Sequence, residues 1–146
     1  MEIKRAGLDD LDAVAQLFDE YRVFYNKESD VKAAKAFITD RIANNESVIF
    51  LAHEGDTPIG FVQLYPIFTS IGMQCKWLLN DLFVNSKHRR TGAGKALMNA
   101  AKEHAIFTEA AGLQLETAMD NTRAQALYES LGYKKEKETY FYTLTL

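Results

Sequence analysis

From residue 11 the apolar positions Leu11, Val14, Ala15, Phe18 and Tyr21 recur at helical spacing, and Asp9 or Asp10 stands where a cap is needed. A second helix is predicted over 30–43, with Val31, Ala34, Phe37, Ile38 and Ile42 on its apolar side and NNES ending it. Three β-rich runs follow: SVIFLAHE (47–54), PIGFVQLYPIF (58–68) and MQCKWLLNDLFVN (73–85). EGDTP between the first two is turn chemistry, so the three read as an antiparallel meander. A long helix is expected from about 92 to 110, ended by Gly112, then a strand LQLETA (113–118). Asp120 or Asn121 opens a last helix through about 131, ended by Gly132, and YKKEKETYFYTLTL (133–146) reads as a hairpin. EIKRA (2–6) is a short opening strand. The predicted order is β-α-α-β-β-β-α-β-α-β-β, a mixed α/β or α+β sheet with helices on both faces.

The sequence has 146 residues, 47% of them hydrophobic, which suits one domain with a real core. No repeat or Pro/Ser-rich linker divides it, so residues 1–146 are expected to form a single domain. The net charge of −3 argues against a general nucleic-acid binder, which needs a basic face. One cysteine, Cys75, excludes an internal disulfide and makes the cytoplasm the expected setting. Neither a signal peptide nor a membrane-spanning run is expected, and His53, His88 and His104 have no metal-ligand spacing.

The chemistry concentrates in HRRTGAGK, residues 88–95. A phosphate-binding P-loop fails there: Arg89 stands where a glycine is needed, and Ala96 follows Lys95 where a hydroxyl is needed. The dinucleotide fingerprint fails too, because Leu97 takes its third glycine position. What remains is R-x-x-G-x-G between a strand and a helix. Glycines let backbone approach a ligand, and the first helical amides point outward with partial positive charge. A pyrophosphate fits such a turn, as does a plain helix start with a solvated basic flank.

The stretch LNDLFVNSKHRRTGAGKALMNAAKEHA resembles the acetyl-CoA-binding core of the GCN5-related N-acetyltransferase (GNAT) superfamily. NTRAQALYESLGY, residues 121–133, is similar to that superfamily's second motif, and the predicted element order agrees with its fold along essentially the whole chain. The resemblance implies a mostly antiparallel seven-stranded sheet with about four helices. It implies a single GNAT domain with acetyl-CoA as co-substrate, no metal and a small-molecule amine as acceptor, without nucleic-acid or membrane partners.

It also implies site residues. The pantetheine arm would bond to the backbone of Leu82, Phe83 and Val84. The pyrophosphate would take amides from Arg89, Arg90, Thr91, Gly92, Ala93, Gly94 and Lys95. Asn121 would contact the cofactor, and Tyr128 would protonate the leaving thiolate. Related polyamine enzymes often carry Glu-Asp on the cofactor strand. Here that pair is Asn80-Asp81, which leaves Asp81 or ordered water as the base. Acceptor selection is assigned to Tyr21, Tyr25, Glu28 and Tyr65, aromatics and carboxylates suited to a cationic amine. Tyr21 and Tyr25 are equally readable as core. A non-catalytic CoA-binding module of the same fold stays open as the alternative, and YFYTLTL leaves room for a homodimer.

Overall fold

The computed structural model describes residues 1–146. The chain divides into two compact units, Met1–Leu115 and Glu116–Leu146.

The first unit holds a five-stranded sheet in the order β1-β2-β3-β4-β5. β1 is Glu2–Arg5, β2 Val48–Glu54, β3 Thr57–Thr69, β4 Gln74–Val84 and β5 Leu113–Gln114. The first three pairings are antiparallel, and β4 and β5 run parallel. The meander predicted over 47–85 therefore forms as expected.

Alternation sorts the side chains of this sheet. Ile49, Leu51, Phe61 and Phe83 turn to one face and form the core with Val14 and Leu17 of α1 (Leu11–Phe24) and Ile38 of α2 (Val31–Ala43). Trp77 and Phe50 turn to the other face, where both rings meet His104 of α3 (Ala93–Phe107). The Trp77 indole N–H also donates to the Thr108 hydroxyl at 2.9 Å. So α1 and α3 cover opposite faces, as the sequence pattern requires.

Two breaks in alternation matter for the site. In β3 and β4, Gln63 lies opposite Asp81 and Leu64 opposite Leu79, so Asn80 is the extra residue of a β-bulge. At the other end, Gly60 faces Val84 so closely that a Cβ on it would stand 2.7 Å from the Phe83 carbonyl oxygen. Glycine is needed there for strand approach alone.

Several expected boundaries are corrected. Asp10 holds the N-cap position of the first helix, as expected, but its side chain makes no capping bond to that helix. The Asp10 carboxylate instead accepts the Gly7 amide at 2.8 Å within a short 3-10 turn, Leu8–Asp10. Burial alone would push the Asp10 carboxyl up. The Gly7 amide and Lys4, at 2.8 Å, outweigh this and hold it below the usual range. The third helix ends at Phe107, where Thr108 takes the cap and bonds back to His104, so Gly112 is not its stop. The Gly112 carbonyl instead accepts from the Trp77 amide and leads into β5. β5 itself has only Leu113 and Gln114, not 113–118.

In the second unit, α4 spans Thr122–Ser130, and the Asn121 side chain caps it by accepting the Ala124 amide. Gly132 follows at φ +92°, the left-handed conformation that ends the helix. Residues 134–146 form no strand, so the expected closing hairpin is absent and the sheet has five strands where seven were predicted.

Candidate active site

β4 outlasts its parallel neighbour. The β4–β5 ladder pairs Trp77 with Leu113 and Leu78 with Gln114, while β4 runs on to Val84. The edge over Leu79–Val84 is where the chain offers main-chain groups to a ligand, and the Asn80 bulge re-aims the strand at the start of that stretch.

Beyond Val84 the chain makes a short 3-10 turn, Ser86–His88, and enters α3 through the glycine segment. Gly92 is the N-cap residue at φ +87°, a left-handed value that suits glycine. Arg90, at φ +65°, also holds a left-handed backbone, which a non-glycine residue adopts at a cost of about 1–2 kcal/mol. The turn is tied by the Thr91 hydroxyl donating to the His88 carbonyl at 2.6 Å. No side chain caps α3, and the first closed helical bond runs from the Ala96 amide to the Gly92 carbonyl. The amides of Ala93, Gly94 and Lys95 therefore have no intrahelical acceptor, and the positive end of the α3 dipole sits with them. This cradle fits a phosphate chain.

Arg89 is engaged elsewhere. Its Nε donates to the Val84 carbonyl at 3.2 Å, and its guanidinium lies 5.0 Å from the centre of the Phe24 ring. It thus bridges the end of β4 to the end of α1. Beneath it lies a groove of about 310 Å³ walled by Asp19, Glu20, Phe24, Phe83 and Ser86. Asp19 is committed: its carboxylate accepts the Ser29 hydroxyl at 2.6 Å and the Asp30 amide at 2.7 Å, tying the α1–α2 loop. Glu20 is the wall's other carboxylate.

A buried polar chain crosses the sheet on the α1 face. The Ser47 hydroxyl donates to Gln63 Oε1 at 2.8 Å, and Gln63 Nε2 donates to Asp81 Oδ2 at 2.7 Å. Asn80 Nδ2 donates to the other oxygen, Oδ1, at 3.1 Å. Gln63 is fully buried and Asp81 is 5% exposed. The Asp81 carboxylate is thus held by two neutral amides and by no cation. Tyr65 stands on the same face; burial, and then the charge of Asp81, push its phenol up to about 12. That phenol keeps its proton at neutral pH.

The acceptor candidates separate. Tyr21 packs edge-on against Phe61 and Phe83. Tyr25 packs edge-on against Tyr21 but is exposed, as is Glu28. Tyr65 lies on β3 within reach of the charges of Asp81, of Arg41 in α2 and of Glu46 just beyond it. Asp30 is spent on the N-cap of α2, accepting the Ala33 amide at 3.0 Å. In the second unit, Tyr128 lies on α4 with its ring 6.1 Å from that of Tyr133, whose buried hydroxyl has no hydrogen-bond partner. Sequence reasoning passed over Gln63 and Ser47. The available signal was a lone amide in the apolar run IGFVQLY.

A sheet that opens along one strand onto an uncapped helix start is the arrangement the motifs led us to expect. Residues 11–133 match the family model described as Acetyltransferase (GNAT) family. An uncharacterised N-acetyltransferase of Bacillus subtilis is 43% identical over 146 residues, covering all of this chain and 98% of the relative. A probable acetyltransferase of Haemophilus influenzae is 31% identical, covering all of this chain and 99% of the relative. The crystal structure of a probable acetyltransferase superposes with a TM-score of 0.94 at 38% identity, over all of this chain and 98% of the other. The chain belongs to the GNAT acetyltransferase family and is an acetyltransferase. No helix is long and apolar enough to cross a membrane.

Proposed function

We propose that the protein moves an acetyl group from acetyl-CoA to a primary amine of a small molecule, such as a polyamine or an amino acid, by direct attack. The observation that carries this reading is the run of β4 past its last pairing with β5, straight into the Gly92 turn and the free amides of α3. The pantetheine arm adds to the edge at Leu82, Phe83 and Val84 as an extra strand would. The pyrophosphate sits on the segment from Arg89 to Lys95. Val84's carbonyl already accepts from Arg89 and keeps a second lone pair for a pantetheine amide.

The amine arrives as an ammonium and first loses a proton. The neutral nitrogen attacks the thioester carbonyl carbon, and an amide N–H near Leu82 stabilises the oxyanion, an interaction worth ~3 kcal/mol in comparable sites. The C–S bond then breaks as the nitrogen sheds its second proton to solvent, and the thiolate takes a proton. Tyr128 gives that proton, and Asn121 contacts the cofactor; both enter on the matched motif alone. Asp81 accepts amide hydrogens on both oxygens, so its base role is best served through a water. Phe24 and Phe83 with Glu20 supply rings and a carboxylate for the cationic acceptor.

A thermal-shift titration with acetyl-CoA, ATP and NAD tests the donor. Stabilisation by acetyl-CoA alone is expected; stabilisation by ATP or NAD without acetyl-CoA overturns the reading. Thiol release across polyamines, amino acids, aminoglycosides and lysine peptides then identifies the acceptor.

A further inference from the structure

Two carboxylates are buried, Asp19 and Asp81, and they are held to different ends. Asp19 accepts the Ser29 hydroxyl and the Asp30 amide, and that grip closes the α1–α2 loop. Asp81 closes no loop. Its donors are Gln63 and Asn80, and the ladder between β3 and β4 already joins the strands that carry them. Stability alone gives no reason to bury a carboxylate there. The charge is costly to take out of water, and an apolar pair of similar shape is often no worse.

The hold on Asp81 is directional. Ser47 donates to Gln63 Oε1 at 2.8 Å, which turns Gln63 Nε2 toward Asp81 Oδ2, 2.7 Å away. Asn80, the extra residue of the bulge, donates to Oδ1 at 3.1 Å. Each carboxylate oxygen takes one amide hydrogen and keeps capacity to accept another. Both donors are neutral, so the negative charge is left to be answered by a proton or a cation. The next peptide bond carries the Leu82 N–H, on the edge proposed for the thioester. Fixing the Asp81 side chain therefore fixes a proton acceptor relative to that edge.

We propose that Gln63 is a positioning residue for acetyl transfer: oriented by Ser47, it holds the Asp81 carboxylate to take, through a water, the proton that the incoming ammonium must lose. This rests on Asp81 being the base in the function proposed above. In the step an ammonium N–H bond breaks and its electron pair stays on nitrogen. The proton passes to the water as the water gives one to Asp81, and Gln63 neither gains nor loses one. The other titratable or charged groups of this layer are Tyr65 of β3, Lys76 of β4, Arg41 of α2 with Glu46 beyond it, and Tyr21 and the committed Asp19 of α1.

The experiment is acetyl-CoA-dependent thiol release with whichever amine of the panel above the wild type uses best, read as kcat/KM for the amine from about pH 6 to about pH 9. General-base catalysis contributes about 10²–10⁴-fold, and Gln63→Leu, which keeps the carboxylate but loosens it, is expected to lose about ten-fold near neutral pH. That deficit is expected to shrink as pH rises. A carboxylate short of one donor needs a higher pH to stay charged, and more of the amine then arrives neutral. Acetyl-CoA affinity is expected to stay unchanged. Leu51→Ala, a core change that leaves the Ser47–Gln63–Asp81 chain in place, serves as the control for lost stability. A Gln63→Leu deficit that stays constant with pH, or that follows Leu51→Ala, overturns this proposal alone. Asp81→Asn at the wild-type rate overturns the base reading and this proposal with it. No thiol release by the wild type with any amine overturns the acetyl-transfer reading itself. If Gln63→Leu does not fold, Ser47→Ala decides: a smaller deficit with the same pH trend is expected, and no trend overturns the proposal.

Discussion

Gln63 is fully buried and points its side-chain nitrogen at Asp81, 2.7 Å away, while its oxygen faces Ser47. The Ser47 hydroxyl can only donate usefully to the carbonyl end of the amide, so it fixes which way the amide faces. Replacing Gln63 with leucine removes one donor from a buried carboxylate and the acceptor from a buried hydroxyl. The expected cost is about 1–3 kcal/mol, read as a lower denaturant midpoint with an unchanged slope. Ser47→Ala, which leaves the Gln63–Asp81 bond in place, is expected to cost less.

Two glycines border the proposed cofactor strand for different reasons, and alanine tells them apart. At Gly60 the added methyl carbon would meet the Phe83 carbonyl oxygen at 2.7 Å and Val84 at 3.2 Å, so β4 must move. Gly60→Ala is expected to lower stability by about 1–3 kcal/mol and to weaken acetyl-CoA binding. At Gly92 there is open space, and only the φ of +87° resists. Gly92→Ala is expected to cost about 1–2 kcal/mol through the backbone. Calorimetric acetyl-CoA titration of both variants, beside their denaturant midpoints, checks the pair.

His104 makes stability sensitive to acid. Burial against Trp77 and Phe50, and then the charge of Arg5, hold its imidazole below the ordinary 6.5, and its Nε2 is buried without a partner. Below 6.5 the unfolded chain binds a proton that the folded chain does not. Stability contributed here is therefore present above 6.5 and lost as pH falls toward the lower folded value. His104→Phe keeps a ring against Trp77 and is expected to flatten that acid loss, measured as urea midpoints from neutral to mildly acidic pH.

If Tyr128 protonates the departing thiolate, Tyr128→Phe lowers turnover more than acetyl-CoA affinity. The check is thiol release with the best amine of the panel at saturating concentration, beside a direct binding titration. Unchanged turnover removes Tyr128 from the mechanism.

Most elements were legible because local pattern and burial agree in them. α1, α2 and the meander follow directly from where the apolar residues fall. Asn121 caps α4 as its side chain suggests, and HRRTGAGK turns from β4 into α3 as glycine spacing suggests. Failures came where a distant group outbid the local one. Asp10 has the chemistry of a cap, but Lys4 and the Gly7 amide claim it. Gly112 looks like a helix stop, but its carbonyl serves Trp77 across the β4–β5 gap. The tail has every propensity of a strand, and propensity cannot supply the neighbour a strand requires. The buried Ser47–Gln63–Asp81 chain was invisible because its members lie far apart in sequence and meet only once β2, β3 and β4 are in register.

The extra residue at Asn80 has a further meaning. On the near side of it Leu79 and Trp77 point toward α3; on the far side Asp81 and Phe83 point toward α1. One residue thus acts as a phase shift in the strand's parity, and it alone lets Asp81 and Trp77 serve opposite layers. A strand that kept Asn80 in regular alternation from the Leu64–Leu79 pair would invert the last stretch of the code: Leu82 would face the aromatic core, and Asp81 and Phe83 would be handed to the α3 layer, where no Gln63 waits for the carboxylate; removing Asn80 outright would instead leave those facings as they are, with Asp81 following Leu79 directly.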